Sequence, residues 1–188
     1  ALYSSMSFAY RLDKNIELSY VNYSFITDAL IDILNSKDCK INFEYKNINN
    51  KNKKSNYFIT TKDETVWIYN EENSKIENIS VLKKGNSFSV YNSGVVGNNS
   101  AILSLSDLNL KNGTIKTFGL GAKGFYQKGE NKNSIVENFI IETMQKNSNA
   151  IECSDGSMIK LYNVYLYTND DCSGGLCVSA NGKINANK

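Results

Sequence analysis

Leu110-Lys111-Asn112-Gly113-Thr114-Ile115-Lys116-Thr117 decides the fold, because its skeleton returns twice further along the chain. Val136, Asn138, Ile141 and Thr143 repeat Leu110, Asn112, Ile115 and Thr117 after 26 residues, and Leu161, Asn163, Leu166 and Thr168 repeat them again after 25. A second register agrees. Gly124-Phe125 returns as Ala150-Ile151 and as Gly175-Leu176, and Gly129, Gly156 and Gly182 stand near the ends of successive units. Units this short cannot bury a core alone, so a period in the twenties means stacked coils, each covering the apolar face of the next.

Side chains alternate in and out along an extended coil, which predicts an interior row of Ile115, Ile141 and Leu166. Two exterior rows follow. Thr114, Ile140 and Tyr165 stack on one side, and Lys116, Glu142 and Tyr167 on the other, where the lysine and glutamate make a favourable cross-strand pair. The row of Asn112, Asn138 and Asn163 has a different use. Asparagine tolerates left-handed backbone geometry, and amides stacked at the coil spacing can hydrogen-bond up the ladder, so this row is expected to turn the chain between sheets.

Upstream the pattern is less regular. Residues 39–107 carry alternating segments at Ile41-Phe43-Tyr45, Tyr57-Ile59 and Val66-Ile68, then Ile76–Val81, Ser87–Tyr91 and Ala101–Leu105, with Gly85-Asn86 and Gly97-Asn98-Asn99 as turns. They read as irregular early coils outside the 25- to 26-residue step, with the regular repeat over 108–188. Residues 1–38 form an N-terminal extension. Within it, Ser24 to Leu34 sets apolar positions 26, 29, 30, 33 and 34 on one helical face, with Thr27 or Asp28 to cap it, and predicts one short helix over the first coil.

At 188 residues, with 41% apolar and 11% aromatic content, the chain fits one domain with a real core. The net charge is only +2, and the lysines are scattered apart from Lys51-Asn52-Lys53-Lys54, which reads as a solvated loop. Nucleic acid is therefore not an expected partner. No apolar run approaches the ~20 residues of a bilayer span. The chain opens on Ala1 without a signal-like stretch, which fits a mature form whose leader has been removed and equally a shortened chain.

Cys39, Cys153, Cys172 and Cys177 make an even set. Cys172-Ser-Gly-Gly-Leu-Cys177 closes a small loop that a disulfide could clamp, and a bridge from Cys39 to Cys153 would tie the N-terminal region to the repeat. Cys153 follows Ile151 by two residues and so faces inward with it, which also suits a small buried hydrophobe. A metal site is not expected, since C-x4-C has no second pair and the chain has no His.

The apolar-x-Asn-x-x-Ile-x-Thr runs, with Gly-(Phe/Ile/Leu) and a late Gly, resemble the right-handed parallel β-helix superfamily of pectate-lyase-like solenoids. In style they are most similar to extracellular surface and adhesin-type members with small glycine-containing turns, such as Thr117-Phe118-Gly119 and Cys172-Ser173-Gly174. The resemblance covers roughly residues 76 to 188 and implies an all-β, right-handed parallel β-helix behind an N-terminal cap. It speaks for fold more than for function.

The superfamily includes polysaccharide hydrolases and lyases, which the residues can test. Polygalacturonase-like members use clustered aspartates with Gly-His-Gly and Arg-x-Lys segments. Asp170-Asp171 is similar to the aspartate pair, but there is no His, and Arg11 is the single arginine. Pectate-lyase-like members need an arginine base beside acidic calcium ligands, and Arg11 lies far from the repeat in sequence. Glu142 could serve a two-carboxylate glycosidase, yet a solvated glutamate paired to Lys116 is the simpler reading. No G-x-S-x-G occurs, and Gly119-Leu-Gly121-Ala-Lys-Gly124 reads as coil turns rather than a dinucleotide fingerprint.

The expectation is an extracellular or cell-surface structural or adhesive β-solenoid that is not an enzyme and takes no cofactor. Its partner is a second copy, through an open C-terminal coil at Lys183-Ile184-Asn185 and the Tyr-rich N-terminal segment, up to a filament. The alternative is carbohydrate binding at Tyr162, Tyr165 and Tyr167, clustered in one coil, since exposed rings on a flat sheet make sugar-stacking platforms as well as protein contacts.

Overall fold

The computed structural model describes residues 66–71, 73–87 and 99–187 together with residue 63, and upstream the backbone of strand segments at 10–11, 16–17, 25–26, 31–33, 39–42 and 56–60. All regular structure among these residues is β. The upstream segments are β1 (Tyr10–Arg11), β2 (Ile16–Glu17), β3 (Phe25–Ile26), β4 (Ile31–Ile33), β5 (Cys39–Asn42) and β6 (Asn56–Thr60). Then a short and a long strand alternate: β7 (Ile68–Asn70), β8 (Ser74–Lys83), β9 (Ile102–Ser104), β10 (Leu108–Thr117), β11 (Phe125–Gln127), β12 (Asn133–Thr143), β13 (Ile151–Cys153) and β14 (Met158–Thr168). β15 (Leu176–Val178) and β16 (Lys183–Asn187) complete the order.

Every described pairing is parallel. The long strands β8, β10, β12, β14 and β16 neighbour one another in one sheet, and the short strands β7, β9, β11, β13 and β15 in the other. A chain that visits two sheets in turn and always lands beside its previous visit is a parallel β-solenoid, as the repeat predicts.

The long strands β10, β12 and β14 bend in the middle, and asparagine makes the bend. Asn112, Asn138 and Asn163 have φ of 56°, 53° and 52°, the left-handed region that asparagine enters at less cost than most side chains. One residue in that conformation reverses the in–out phase. Before it Leu108 and Leu110 point inward, and after it Ile115 and Thr117 do; β12 switches likewise from Ser134 and Val136 to Phe139 and Ile141. A strand with uniform alternation could not keep both arms facing one core.

The interior is a set of stacked columns. Ile76, Leu110, Val136 and Leu161 form one, Val81, Ile115, Ile141 and Leu166 a second, and Ile68, Ile102, Phe125, Ile151 and Leu176 a third. Burying each such side chain is worth about 1.5–3 kcal/mol. Next to the bend, Ile79, Gly113, Phe139 and Val164 share a column in which glycine is obligatory. A Cβ on Gly113 would sit 2.4 Å from Ile79 O and 2.6 Å from Phe139 Cζ. One corner is polar over three coils: Asn70, Ser104 and Gln127 face inward, Asn70 Nδ2 donates to Ser104 Oγ at 2.9 Å, and Ser134 Oγ donates to Gln127 Oε1.

One expectation is corrected. The helix over 24–34 is absent from its described residues, which lie in β3 and β4. Phe25 and Ile26 pair with Phe58 and Ile59, and Ile31 to Ile33 with Ile68 to Asn70. Ile31-Asp32-Ile33 satisfies a period of two as well as a period of 3.6, and β-branched residues favour the strand once a sheet edge is available. The stack itself extends upstream of Leu108, with an irregular step. Ser74 pairs with Leu108 and continues in register to Lys83 with Thr117. The step there is 34 residues. The excess lies between β8 and β9, where residues 84–101 stand in place of the short connection 118–124. An insertion in a turn leaves the ladder intact but hides the period. Of the strand expected at Ser87–Tyr91, Ser87 lies outside any strand and residues 88–91 lie outside the described set.

Candidate functional site

The middle residue of each three-residue strand points away from the core that its neighbours fill. Tyr69, Leu103, Tyr126, Glu152 and Cys177 therefore stack as one outer column along the short-strand sheet. Leu103 and Tyr126 are nevertheless buried and form a small apolar cluster with Val66, against which Tyr69 and Leu105 pack. Beside this column runs a second outer row, in which Lys123, Asn149 and Gly174 stand two residues before paired positions of β11, β13 and β15. The backbone confirms the stacking: Gly124 N–H donates to Asn149 O at 3.0 Å, and Ala150 N–H to Gly174 O at 2.9 Å.

The two rows meet in a buried polar cluster. Lys123 Nζ is paired with Glu152 Oε2, and their side chains are only 4% and 8% exposed. Asn149 Nδ2 donates to the same Oε2 at 2.8 Å, while Asn149 Oδ1 accepts the Gly174 N–H at 2.8 Å. The ammonium lies 4.5 Å from the centroid of the Tyr126 ring, whose hydroxyl shares a 2.9 Å hydrogen bond with Ser154 Oγ. Burial is the largest influence on the titrating groups. It lowers Lys123 below the usual lysine value against the pull of Glu152, and pushes the Tyr126 phenol up to about 12. It also raises the Cys177 thiol, with Glu152 adding in the same direction. The cluster thus holds an amine drawn toward its neutral form, a carboxylate within reach of it, and a side-chain amide fixed at both ends.

The residues singled out by sequence are distributed otherwise. The asparagine row forms the expected ladder: Asn138 Nδ2 donates to Asn112 Oδ1 at 3.1 Å, and Asn163 Nδ2 to Asn138 Oδ1 at 2.8 Å. Lys116 and Glu142 pair at 2.7 Å on the outer face, as the stacked rows require. Tyr165 and Tyr167 project from the same arm of β14, 66% and 53% exposed, beside Ile140 and Glu142. Tyr162 lies on the other arm, across the Asn163 bend and beside Glu137. The structure brings two of the three tyrosines onto one face and separates the third. Asp171 lies 3.9 Å from Lys146 on an exposed turn, and Gly121, with φ of 65°, confirms the glycine run as a coil turn.

The disulfide expected between Cys172 and Cys177 is not formed; both are free, as is Cys153. Cys172 occupies a left-handed turn position, φ 57°, in a row with Gly121 and Asn147, whereas Cys177 belongs to the outer column under Glu152. Cys153 is buried as expected, its sulfur 3.3 Å from Ser157 O. The side chain of Cys39 lies outside the described residues. Among the described residues no three His, Cys, Asp or Glu side chains converge on a metal position, and no helix is long and apolar enough to cross a membrane.

Sequence reading did not single out Lys123, Asn149 or Glu152, although the signal lay in the register it used. Aligning Gly124 with Ala150 and Gly175 places Lys123 over Asn149, and Tyr126 over Glu152, by simple counting. Their burial carried no such signal, because a lysine and a glutamate in adjoining rows look the same whether solvated or covered. Set against protein-family models, curated proteins and solved structures, the chain matches none of them.

Proposed function

We propose that this chain is a structural or adhesive β-solenoid of the pectate-lyase-like kind, working outside the cell or at its surface, with the coil stack as a rigid support for a contact face. The observation that carries the reading is the exposed strip of Ile140, Tyr165 and Tyr167 on one flat arm of β12 and β14. Large apolar side chains gathered on an outer face are what contact surfaces are made of, and tyrosine anchors such contacts at small entropic cost. The occupant proposed is a second copy of the chain.

Sedimentation equilibrium and electron microscopy of the purified chain test this reading. Association or fibres weakened by Tyr165→Ala/Tyr167→Ala support it, and a monomer at high concentration overturns it. One specific observation favours carbohydrate binding as the second reading: two tyrosines on alternate residues of a flat strand offer adjoining rings to a sugar chain. A glycan array on which the wild type binds and the double variant does not would establish that reading in place of self-association.

A further inference from the structure

We propose that Lys123 and Asn149 are joined by a self-formed isopeptide bond, a covalent tie between two successive coils, with Glu152 as the proton carrier. The constellation is independent of the contact face and of the function proposed for it. It rests on four contacts in one cluster whose lysine and glutamate are buried. Lys123 Nζ and Asn149 Nδ2 are both hydrogen-bonded to one oxygen, Oε2 of Glu152, which holds the amine next to the amide. The Gly174 N–H donates to Asn149 Oδ1 at 2.8 Å, where negative charge develops if the amide carbon is attacked. Lys123 and Asn149 occupy the same position of consecutive coils, so the parallel ladder fixes their approach. The lysine side chain is only 4% exposed, and burial favours the neutral, nucleophilic amine.

The step balances without any outside reagent. The Lys123 ammonium gives one proton to the Glu152 carboxylate, and the neutral amine attacks Asn149 Cγ. The carbonyl π electrons move to Oδ1, where the Gly174 N–H receives them. Glu152 then returns its proton to Nδ2, and the resulting carboxylate takes a proton from the new, positively charged Nζ–Cγ nitrogen. The carbonyl re-forms, the Cγ–Nδ2 bond breaks and ammonia leaves. One amide replaces another, nothing is oxidised or reduced, and the ammonia takes up the proton that remains on Glu152.

The choice of groups is chemically specific. A lysine–glutamate pair alone would be a buried salt bridge, which stabilises little beyond its own desolvation cost. Here the carboxylate also holds the leaving nitrogen and a backbone donor holds the carbonyl oxygen, so amine, electrophile, proton carrier and oxyanion donor are all present. The product would link Lys123 to Asn149 across the coil boundary and resist unfolding or pulling of the stack at that boundary.

Mass spectrometry of the purified full chain, denatured and reduced, tests the proposal. The expected mass is below that of the sequence by one ammonia, and the peptide map should contain a branched peptide joining Lys123 to Asn149. Lys123→Met and Glu152→Gln should each restore the full mass. The wild-type map decides the matter even if those variants fail to fold. A wild-type chain at full mass after prolonged incubation in the folded state overturns the proposal. So does an ammonia loss that maps to Asn112-Gly113 or Asn181-Gly182 as a succinimide, with Lys123 and Asn149 recovered on separate peptides.

Discussion

Asn138 Nδ2 donates to Asn112 Oδ1 at 3.1 Å while both residues hold left-handed backbones, φ 53° and 56°. The ladder and the bend are thus one device, since the conformation that reverses the in–out phase also aims each amide at the next. Asn138→Ala should lose both the tolerated conformation and the hydrogen bonds, at a cost of about 1–3 kcal/mol. Asn138→Gly keeps the conformation and should cost less than the alanine. Urea unfolding of the two variants checks the order, and an alanine no worse than glycine would sink this account of the bend.

Gly113 and Phe139 share one interior column, and the ring occupies the space that a Cβ on Gly113 would need. Gly113→Ala should destabilise by about 1–3 kcal/mol through overpacking. Phe139→Leu in the same chain should recover only part of that loss, because the new Cβ would still meet Ile79 O at 2.4 Å. A double-mutant cycle by thermal or urea unfolding measures the recovered part.

The Tyr126 phenol keeps its proton up to about 12 in the folded chain, whereas a free tyrosine loses it near 10. Between those values the unfolded chain holds fewer protons than the folded one. The stabilising effect of the neutral phenol is therefore complete below a pH of about 10 and is lost as pH rises through the folded value. Lys123, while its amine is free, is shifted the other way, so the folded chain releases its proton first, and the matching stability falls as pH drops through its folded value. Stability measured against alkaline pH should fall over the tyrosine window in the wild type and less steeply in Tyr126→Phe. Equal slopes would contradict the assignment.

The three described thiols should react in the order of their surroundings. Cys172 is exposed and should be alkylated first, and Cys177, raised by burial and by Glu152, more slowly. Cys153 is fully buried and should react only on unfolding. Peptide mapping after timed alkylation of the reduced native chain reads all three positions.

Lys116 and Glu142 pair at 2.7 Å, but both side chains remain substantially exposed, 41% and 33%. Their coupling in a double-mutant cycle should be below about 1 kcal/mol and should shrink in high salt. A larger, salt-independent coupling would show that this pair is more than a solvated contact.

The fold was legible from Leu108 onward because a solenoid writes its geometry into the sequence. Inward rows must be apolar and must recur at the coil length, as Ile115, Ile141 and Leu166 do, and the bend needs a residue such as Asn112 that enters the left-handed region. Upstream, the longer connection between β8 and β9 hid the step, although Ile76 and Val81 occupy the same columns. The segment around Ile31 misled because a short apolar run satisfies two periods, and only its pairing with β7 distinguishes them. The tyrosines were visible as a cluster, but their division by Asn163 into two faces follows from the phase reversal.

The sequence by itself determined the stacked parallel coils, the interior rows, the asparagine ladder and the pairing of Lys116 with Glu142, since each follows from counting along a repeat. Only the tertiary structure decided that Lys123 and Glu152 are covered while Lys116 and Glu142 are not, and that Cys172 and Cys177 remain thiols. Register fixes which residues adjoin, whereas burial depends on what the rest of the chain lays over them, and it is burial that turns an ordinary lysine and glutamate into a reactive pair.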